Sequence, residues 1–366
     1  MGEAGSGRAS EVQRRLREVR VLLDQAGAAG ALLGLRRNFA WVTAGGTNHV
    51  VVTSEDGAAP ILITPDTAVV LAPINEAARI EAEEVAGLEI EVTAVPWHEP
   101  RAFEDAVRRR MDGKLLDETA IEPELTRLRS WLTPFDHRRL IALAADARLA
   151  VAQTLETLQP GDTEQQAVSR LLGALASTGT RAPVLLAAAD ERIARYPHPL
   201  PTAMPLRRRL MLVLVAERWG LHVALTRFRD LEPPDSDLIR RMEAVGVVEE
   251  AMHEATRPGR TLGDVMAAAR RAYEAAGFVD EWRFHHQGGV IGYRPREYIA
   301  VPDDTTPIRI GMAFAWNPSI AGAKSEGTVI LRSDGRLVEL TRSETERSSA
   351  HSPDESGTHR CLSNCP

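Results

Sequence analysis

Leu158-Gln159-Pro160-Gly161-Asp162-Thr163 and Thr256-Arg257-Pro258-Gly259-Arg260-Thr261 each join two helical patterns. The helix after the first ends at Thr178-Gly179, and the helix after the second ends at Ala276-Gly277. Pro160 and Pro258 stand 98 residues apart, as do Gly179 and Gly277. Each helix pair is followed by a histidine-bearing stretch, Tyr196-Pro197-His198 and then His285-His286. A β-rich segment comes next in each case, Leu210 to Phe228 and Ala313 to Leu331. One Pro-Gly match arises easily by chance; a matching helix length and element order do not. The repeat implies a pseudo-two-fold domain whose two sheets meet in the middle. A cleft at such a junction is where a site forms.

Upstream, Thr133-Pro134-Phe135-Asp136 reads as a helix start: a capping threonine, proline at the first helical position, and an acid in the first turn. This places a boundary near 133. Before it, helices alternate with short apolar runs, including a helix over Glu11 to Gln25 and a hairpin of Val50 to Thr53 with Ile61 to Thr64. The expected organisation is a disordered residue 1–10 segment, an α/β domain over 11–133, the duplicated domain over 134–341 and a disordered polar tail over 342–366. The fold class is α/β (α+β).

Composition narrows the function classes. The chain has 366 residues, 44% hydrophobic and 26% charged, as expected of a globular protein with a sizeable core. A net charge of -7 without a basic stripe argues against nucleic acid as a partner. No apolar run approaches a membrane span, and the N-terminus has no secretory apolar core. The two cysteines, Cys361 and Cys365, lie in the polar tail. A reduced, cytoplasmic compartment is expected.

The chemistry concentrates in Phe284-His285-His286-Gln287-Gly288-Gly289-Val290-Ile291-Gly292-Tyr293-Arg294-Pro295-Arg296-Glu297-Tyr298. Histidine changes charge nearest neutral pH, and glycines let backbone approach closely. The alternative for these residues is a turn with solvated histidines.

A small α/β domain followed by a duplicated one resembles the pita-bread family of creatinase, aminopeptidase P and prolidase, over roughly residues 11–341. The resemblance implies that fold, a homodimer in which the N-terminal domain contributes to the neighbouring site, and, in the family's metallopeptidases, five metal ligands. Thr226-Arg227-Phe228 is similar to the Thr-Arg after the family's second Asp, which puts Ala224 at that Asp and Val213 at the first. His285 to Gly289 resembles the HGxGH segment, with Gly289 at the metal histidine. Ala315-Trp316-Asn317-Pro318 resembles the Glu-Pro stretch, with Asn317 at the Glu. Glu326 alone stands unchanged. Two hard cations need several anionic oxygens, and one carboxylate among Val, Ala, Gly and Asn does not supply them. The expectation is therefore no metal and no cofactor.

Creatinase implies how the fold works without metal: a histidine serves as general base and acid. His198, in Tyr196-Pro197-His198-Pro199, stands where that histidine is expected. The repeat offset carries His198 to Arg296 rather than to His285 or His286, so its role rests on the resemblance. The expected catalytic residues are His198, His285, His286 and Glu326, with the choice of His285 or His286 facing the cleft left open. Expected substrate contacts are Gln287, Asn317, Arg296, Glu297, Trp316, Lys324, Arg227 and, from the N-terminal domain, Asn48 and His49. Lys324 and Glu326, two apart on a strand, share a face. Structural alternatives stand beside each: Glu326 as a buried partner of Lys324 or Arg227, Trp316 as core, Arg296 as a surface ion pair.

The expected function is a metal-independent creatinase-like enzyme. It hydrolyses a C–N bond, or runs an elimination or cyclisation in a biosynthetic pathway, on a small amino-acid-derived, amide or amidino substrate. The alternative is a catalytically inactive pita-bread module that binds a partner, with a metallo-aminopeptidase ranked below both.

Overall fold

The computed structural model of the protein describes residues 2–342. The tail expected from 342 onward, with both cysteines, lies outside the described residues except for Arg342.

The first correction falls at the N-terminus. Residues expected to be disordered belong to a helix, Gly2–Ala26. Val12, Leu16, Val19 and Leu23 recur three or four apart and are buried, giving the helix one apolar stripe. Arg8 fixes its start by donating to the carbonyls of Thr43 (3.1 Å) and Glu84 (2.6 Å).

Strands β1 (Gly30–Leu35), β2 (Asp56–Ile63), β3 (Ala68–Pro73), β4 (Glu91–Val95) and β5 (Leu115–Asp117) form a sheet in the order β4-β3-β2-β1-β5. The β3–β4 and β1–β5 pairs are parallel, the others antiparallel. The hairpin is therefore β2 with β3, not Val50–Thr53 with Ile61–Thr64. Val50, Val51 and Val52 are 61%, 61% and 60% exposed and join no strand, because β1 and β3 already occupy both edges of β2. β-branched residues suit a strand, but a strand also needs a free edge.

Thr133 caps the helix Pro134–Thr157, accepting from the Asp136 amide while Asp136 accepts from the Thr133 amide. Thr133→Ala should cost about 1 kcal/mol, read as a lower urea midpoint at unchanged slope. Asp136 also receives both Arg15 Nη2 contacts at 2.7 Å and the Tyr293 hydroxyl at 2.7 Å, which ties the first helix to the second half of the chain.

The repeat is visible in matching caps. Thr163 and Thr261 each start a helix, Glu164–Ala176 and Leu262–Ala275, with reciprocal capping by Gln166 and Asp264. Each threonine also bridges to a proline, Pro205 and Pro307. Gly161 and Gly259 sit at φ 92° and 85°, so both turns need the same left-handed backbone. The first repeat carries β6 (Arg181–Ala189), β7 (Arg209–Arg218) and β8 (Leu221–Asp230) as an antiparallel sheet.

The second carries β9 (Gly288–Ile291), β10 (Tyr298–Ile299), β11 (Ala313–Trp316), β14 (Gly327–Leu331) and β15 (Leu337–Glu339), in the order β10-β9-β11-β14-β15. The short pair β12 (Ser319–Ile320) and β13 (Ala323–Lys324) flanks it. The two sheets meet where Thr226 bridges Glu326 and the Thr328 hydroxyl exchanges hydrogen bonds with the Ala224 amide (2.8 Å) and carbonyl (3.0 Å). The expected junction is present, and it sets Glu326 against Thr226 between the two sheets. Among the described residues no helix is long and apolar enough to cross a membrane.

Candidate active site

His198 lies between Pro197 and Pro199, just after the short helix Glu191–Arg195. The prolines fix φ and remove backbone donors, so this stretch leaves the helix and holds its histidine at a defined point. His198 Nε2 lies 3.0 Å from His285 Nε2. The rings of His285 and His286 stack at 4.5 Å, and one nitrogen from each of the three histidines lies within 4.8 Å of the others. Both residues of the pair thus join His198, although the repeat offset superimposes neither on it. One Nε2 donates and the other accepts, so His198 and His285 share a proton.

All three imidazoles favour the neutral form. His285 is pushed down to about 3, first by burial and then by the Lys324 ammonium and the two neighbouring histidines. His286 is held at about 4 by burial, Arg296 and Lys324. Burial and Lys324 lower His198 as well. The Nδ1 atoms of His285 and His286 are buried without a partner.

Glu326 differs from its expected role. Its carboxylate accepts from Thr226 Oγ1 (2.6 Å), Lys324 Nζ (3.0 Å), Arg296 Nη2 (3.2 Å) and Asn317 Nδ2 (3.5 Å). Burial raises its pKa, but Lys324, Arg296 and the Thr226 hydroxyl outweigh that and hold it at about 2. A carboxylate so fixed exchanges no proton near neutrality; it positions Lys324 and Arg296. Thr226 is the residue that sequence reading missed here, and its place beside Arg227 in the Thr-Arg pair was the available signal.

Several expected substrate contacts are structural. Gln287 accepts from the Tyr273 hydroxyl (2.8 Å) and donates to the carbonyls of Trp282 (3.2 Å) and His285 (2.6 Å), which pins the double-histidine turn. Glu297 is buried against Arg129 at 3.1 Å. Trp316 is core and donates to Thr256 at 3.0 Å. Arg227 donates to the carbonyls of Thr226, Glu326 and Thr341. Asn48 braces the carbonyls of Gly34 and Ala59. His49 meets Arg181 at 3.0 Å, in a different cavity. The cleft keeps Lys324, Arg296 and Asn317, whose Oδ1 is buried and unpartnered. His285 and Lys324 line a cavity of 340 Å³ together with apolar Ile193, Met211 and Ile320.

Of the five family ligand positions only Glu326 keeps an anionic donor; Val213, Ala224, Gly289 and Asn317 occupy the other four. Val213 pairs with Thr226 and Ala224 with Val215 across β7 and β8, so both face one side of the hairpin. At Gly289 a Cβ would lie 2.0 Å from the Tyr298 carbonyl oxygen, so the backbone fills the place from which a histidine would emerge. This donor set does not fit a pair of divalent cations. Among the described residues the only cluster with ligand-like spacing is the three histidines, and Lys324 and Arg296 beside them oppose a cation.

Residues 137–338 match the model of metallopeptidase family M24, and the chain belongs to that family. A curated relative, "Probable dipeptidase PepE" of Mycobacterium tuberculosis (strain ATCC 25618 / H37Rv), is 30% identical over 196 residues, 51% of this chain and 52% of that protein. The match thus spans about half the length of the curated relatives. The prolidase from Pyrococcus horikoshii OT3 is similar in structure, with a TM-score of 0.72 at 17% identity over 90% of this chain and 99% of that one. Dipeptidase PepE from Mycobacterium ulcerans gives a TM-score of 0.70 at 19% identity over 92% and 96%. These structural likenesses establish the pita-bread fold over most of the chain.

Proposed function

We propose that this chain is a hydrolase in which histidine general acid/base chemistry replaces the family's dinuclear centre. Its substrate is a small amino-acid-derived amide or amidino compound bearing a carboxylate. The carrying observation is the His198–His285 Nε2 pair at 3.0 Å beside Lys324 and a cavity with apolar walls. Water adds its oxygen to the electrophilic carbon, and its proton passes to Nδ1 of His198, which bonds no protein atom among the described residues. The Nε2 proton is shared with His285, so the pair spreads the acquired charge. The C–N bond then breaks, and the proton returns to the departing nitrogen. The Lys324 ammonium, which lines the cavity with His285, holds the substrate carboxylate, and the unpartnered Asn317 Oδ1 accepts from a substrate N–H.

The test uses metal-stripped protein against carboxylate-bearing amides, guanidino compounds and dipeptides. His198→Ala should lower kcat by about 100-fold or more. Turnover at the parental rate in that variant sinks the assignment, and activity that returns only with stoichiometric Mn, Co or Zn sinks the metal independence. Binding without turnover, unchanged by His198→Ala, assigns the cleft to a binding module instead.

A further inference from the structure

A second cavity, of 370 Å³, lies where the N-terminal sheet region meets the duplicated half. Five arginines line it (Arg36, Arg37, Arg181, Arg294 and Arg296) against two glutamates, Glu55 and Glu217. The glutamates are already used. Glu217 takes Arg181 at 2.6 Å and Arg36 at 3.4 Å, and Glu55 takes Arg37 at 3.1 Å. His49 adds no charge, because burial, Arg36 and Arg181 hold it at about 4.

Two donors remain. The Arg294 side chain is half-buried, and its guanidinium makes no hydrogen bond or ion pair among the described residues. Arg296 keeps a buried, unpartnered Nε. A net positive, partly enclosed cavity with idle guanidinium donors is built for an anion, since guanidinium forks match the two-oxygen edge of carboxylate and phosphoryl groups.

We infer that this cavity is an oxyanion-binding site, with Arg294 as its principal ligand and a compact carboxylate or phosphoryl group as its occupant. Arg296 stands between this cavity and Glu326, so an occupant would reach the edge of the histidine cleft. The inference does not depend on the histidines acting as catalysts.

The experiment is titration calorimetry on the full chain with glutarate in one arm and inorganic phosphate in the other. It is run on the parent, Arg294→Ala, Arg294→Lys, His198→Ala and a surface control, Arg283→Ala, whose exposed guanidinium pairs with Asp280. Saturable binding by either probe is expected, weakened at least about ten-fold in Arg294→Ala and partly restored in Arg294→Lys. The arm that binds identifies the oxyanion. His198→Ala and Arg283→Ala should bind as the parent does, so a failed catalytic assignment leaves this result standing. Equal affinity in Arg294→Ala and the parent, or no saturable binding of either probe, overturns the inference.

Discussion

Acidification from about pH 7 to about pH 5 is expected to remove several kcal/mol of stability, before the carboxylates titrate. The histidines set the sign. An unfolded histidine titrates near 6.5, whereas folded His285 titrates at about 3 and His286 and His49 at about 4. Burial lowers His222 as well. Each depressed group contributes stability that is complete above 6.5 and lost as pH falls toward its folded value, because only the unfolded chain takes the proton. The slope approaches about 1.4 kcal/mol per pH unit for each histidine kept neutral, against a total stability on the order of 10 kcal/mol.

Glu326 works in another window. Its folded value of about 2 lies below its ordinary 4.5, so its contribution persists above 4.5 and disappears only below it. Urea midpoints at about pH 7, 6 and 5 read the effect. His286→Gln should flatten the profile, since that residue's buried Nδ1 has no partner to lose. A midpoint constant down to pH 5, falling only through the carboxylate range, contradicts the account.

The same histidines mark what a sequence can and cannot display. The repeat was legible because its signals are local: a Pro-Gly turn and a threonine that caps the next helix work through neighbours in the chain. Val50–Val52 misled because residue preference says nothing of which edges are free. The likeness to the pita-bread family placed His198 near the cleft, but its approach to His285 joins residues 87 apart and obeys no spacing rule. Residue type makes Gln287, Glu297 and Trp316 candidates for ligand contact, with a core role for Trp316 as the alternative. Their partners Tyr273, Arg129 and Thr256 lie in or at the end of other helices, and the hydrogen bonds to them brace the fold. Arg294 carries no signal in the sequence for a related reason: a lone surface-type arginine becomes informative only when its neighbours' carboxylates are engaged elsewhere.

Restoring the family's metal ligands should destroy the fold before it creates a metal site, and Gly289 is the reason. Gly288 and Gly289 lie in β9 between β11 and β10. A Cβ at Gly288 would lie 2.1 Å from the Ala315 carbonyl oxygen, and one at Gly289 2.0 Å from the Tyr298 carbonyl oxygen. Both obstacles are backbone, which moves only if strand pairing moves. Gly289 also sits at φ 155°, where a side chain adds strain. Gly289→Ala should therefore cost about 3 kcal/mol or more, and Gly289→His more again. Gly246, inside the helix Ser236–Ala255 with nothing within 4 Å of its Cβ position, supplies the contrast. Gly246→Ala should stabilise by about 0.5–1 kcal/mol.

Adding Val213→Asp and Ala224→Asp to Gly289→His buries two carboxylates where Val213 and Ala224 are now 3% and 0% exposed, each charge costly without a cation to meet it. Urea unfolding of the single variants and metal analysis of the combined one decide the matter. A Gly289→His protein as stable as the parent, or a combined variant that binds two Mn²⁺ ions, would show that the strands can part to admit a metal centre. A Gly246→Ala protein at least as stable as the parent, beside destabilised Gly289→Ala and Gly289→His proteins, would show instead that close strand packing at Gly288-Gly289 excludes the family histidine. The imidazoles nearest that point, His285 and His286, then come from the turn before the strand.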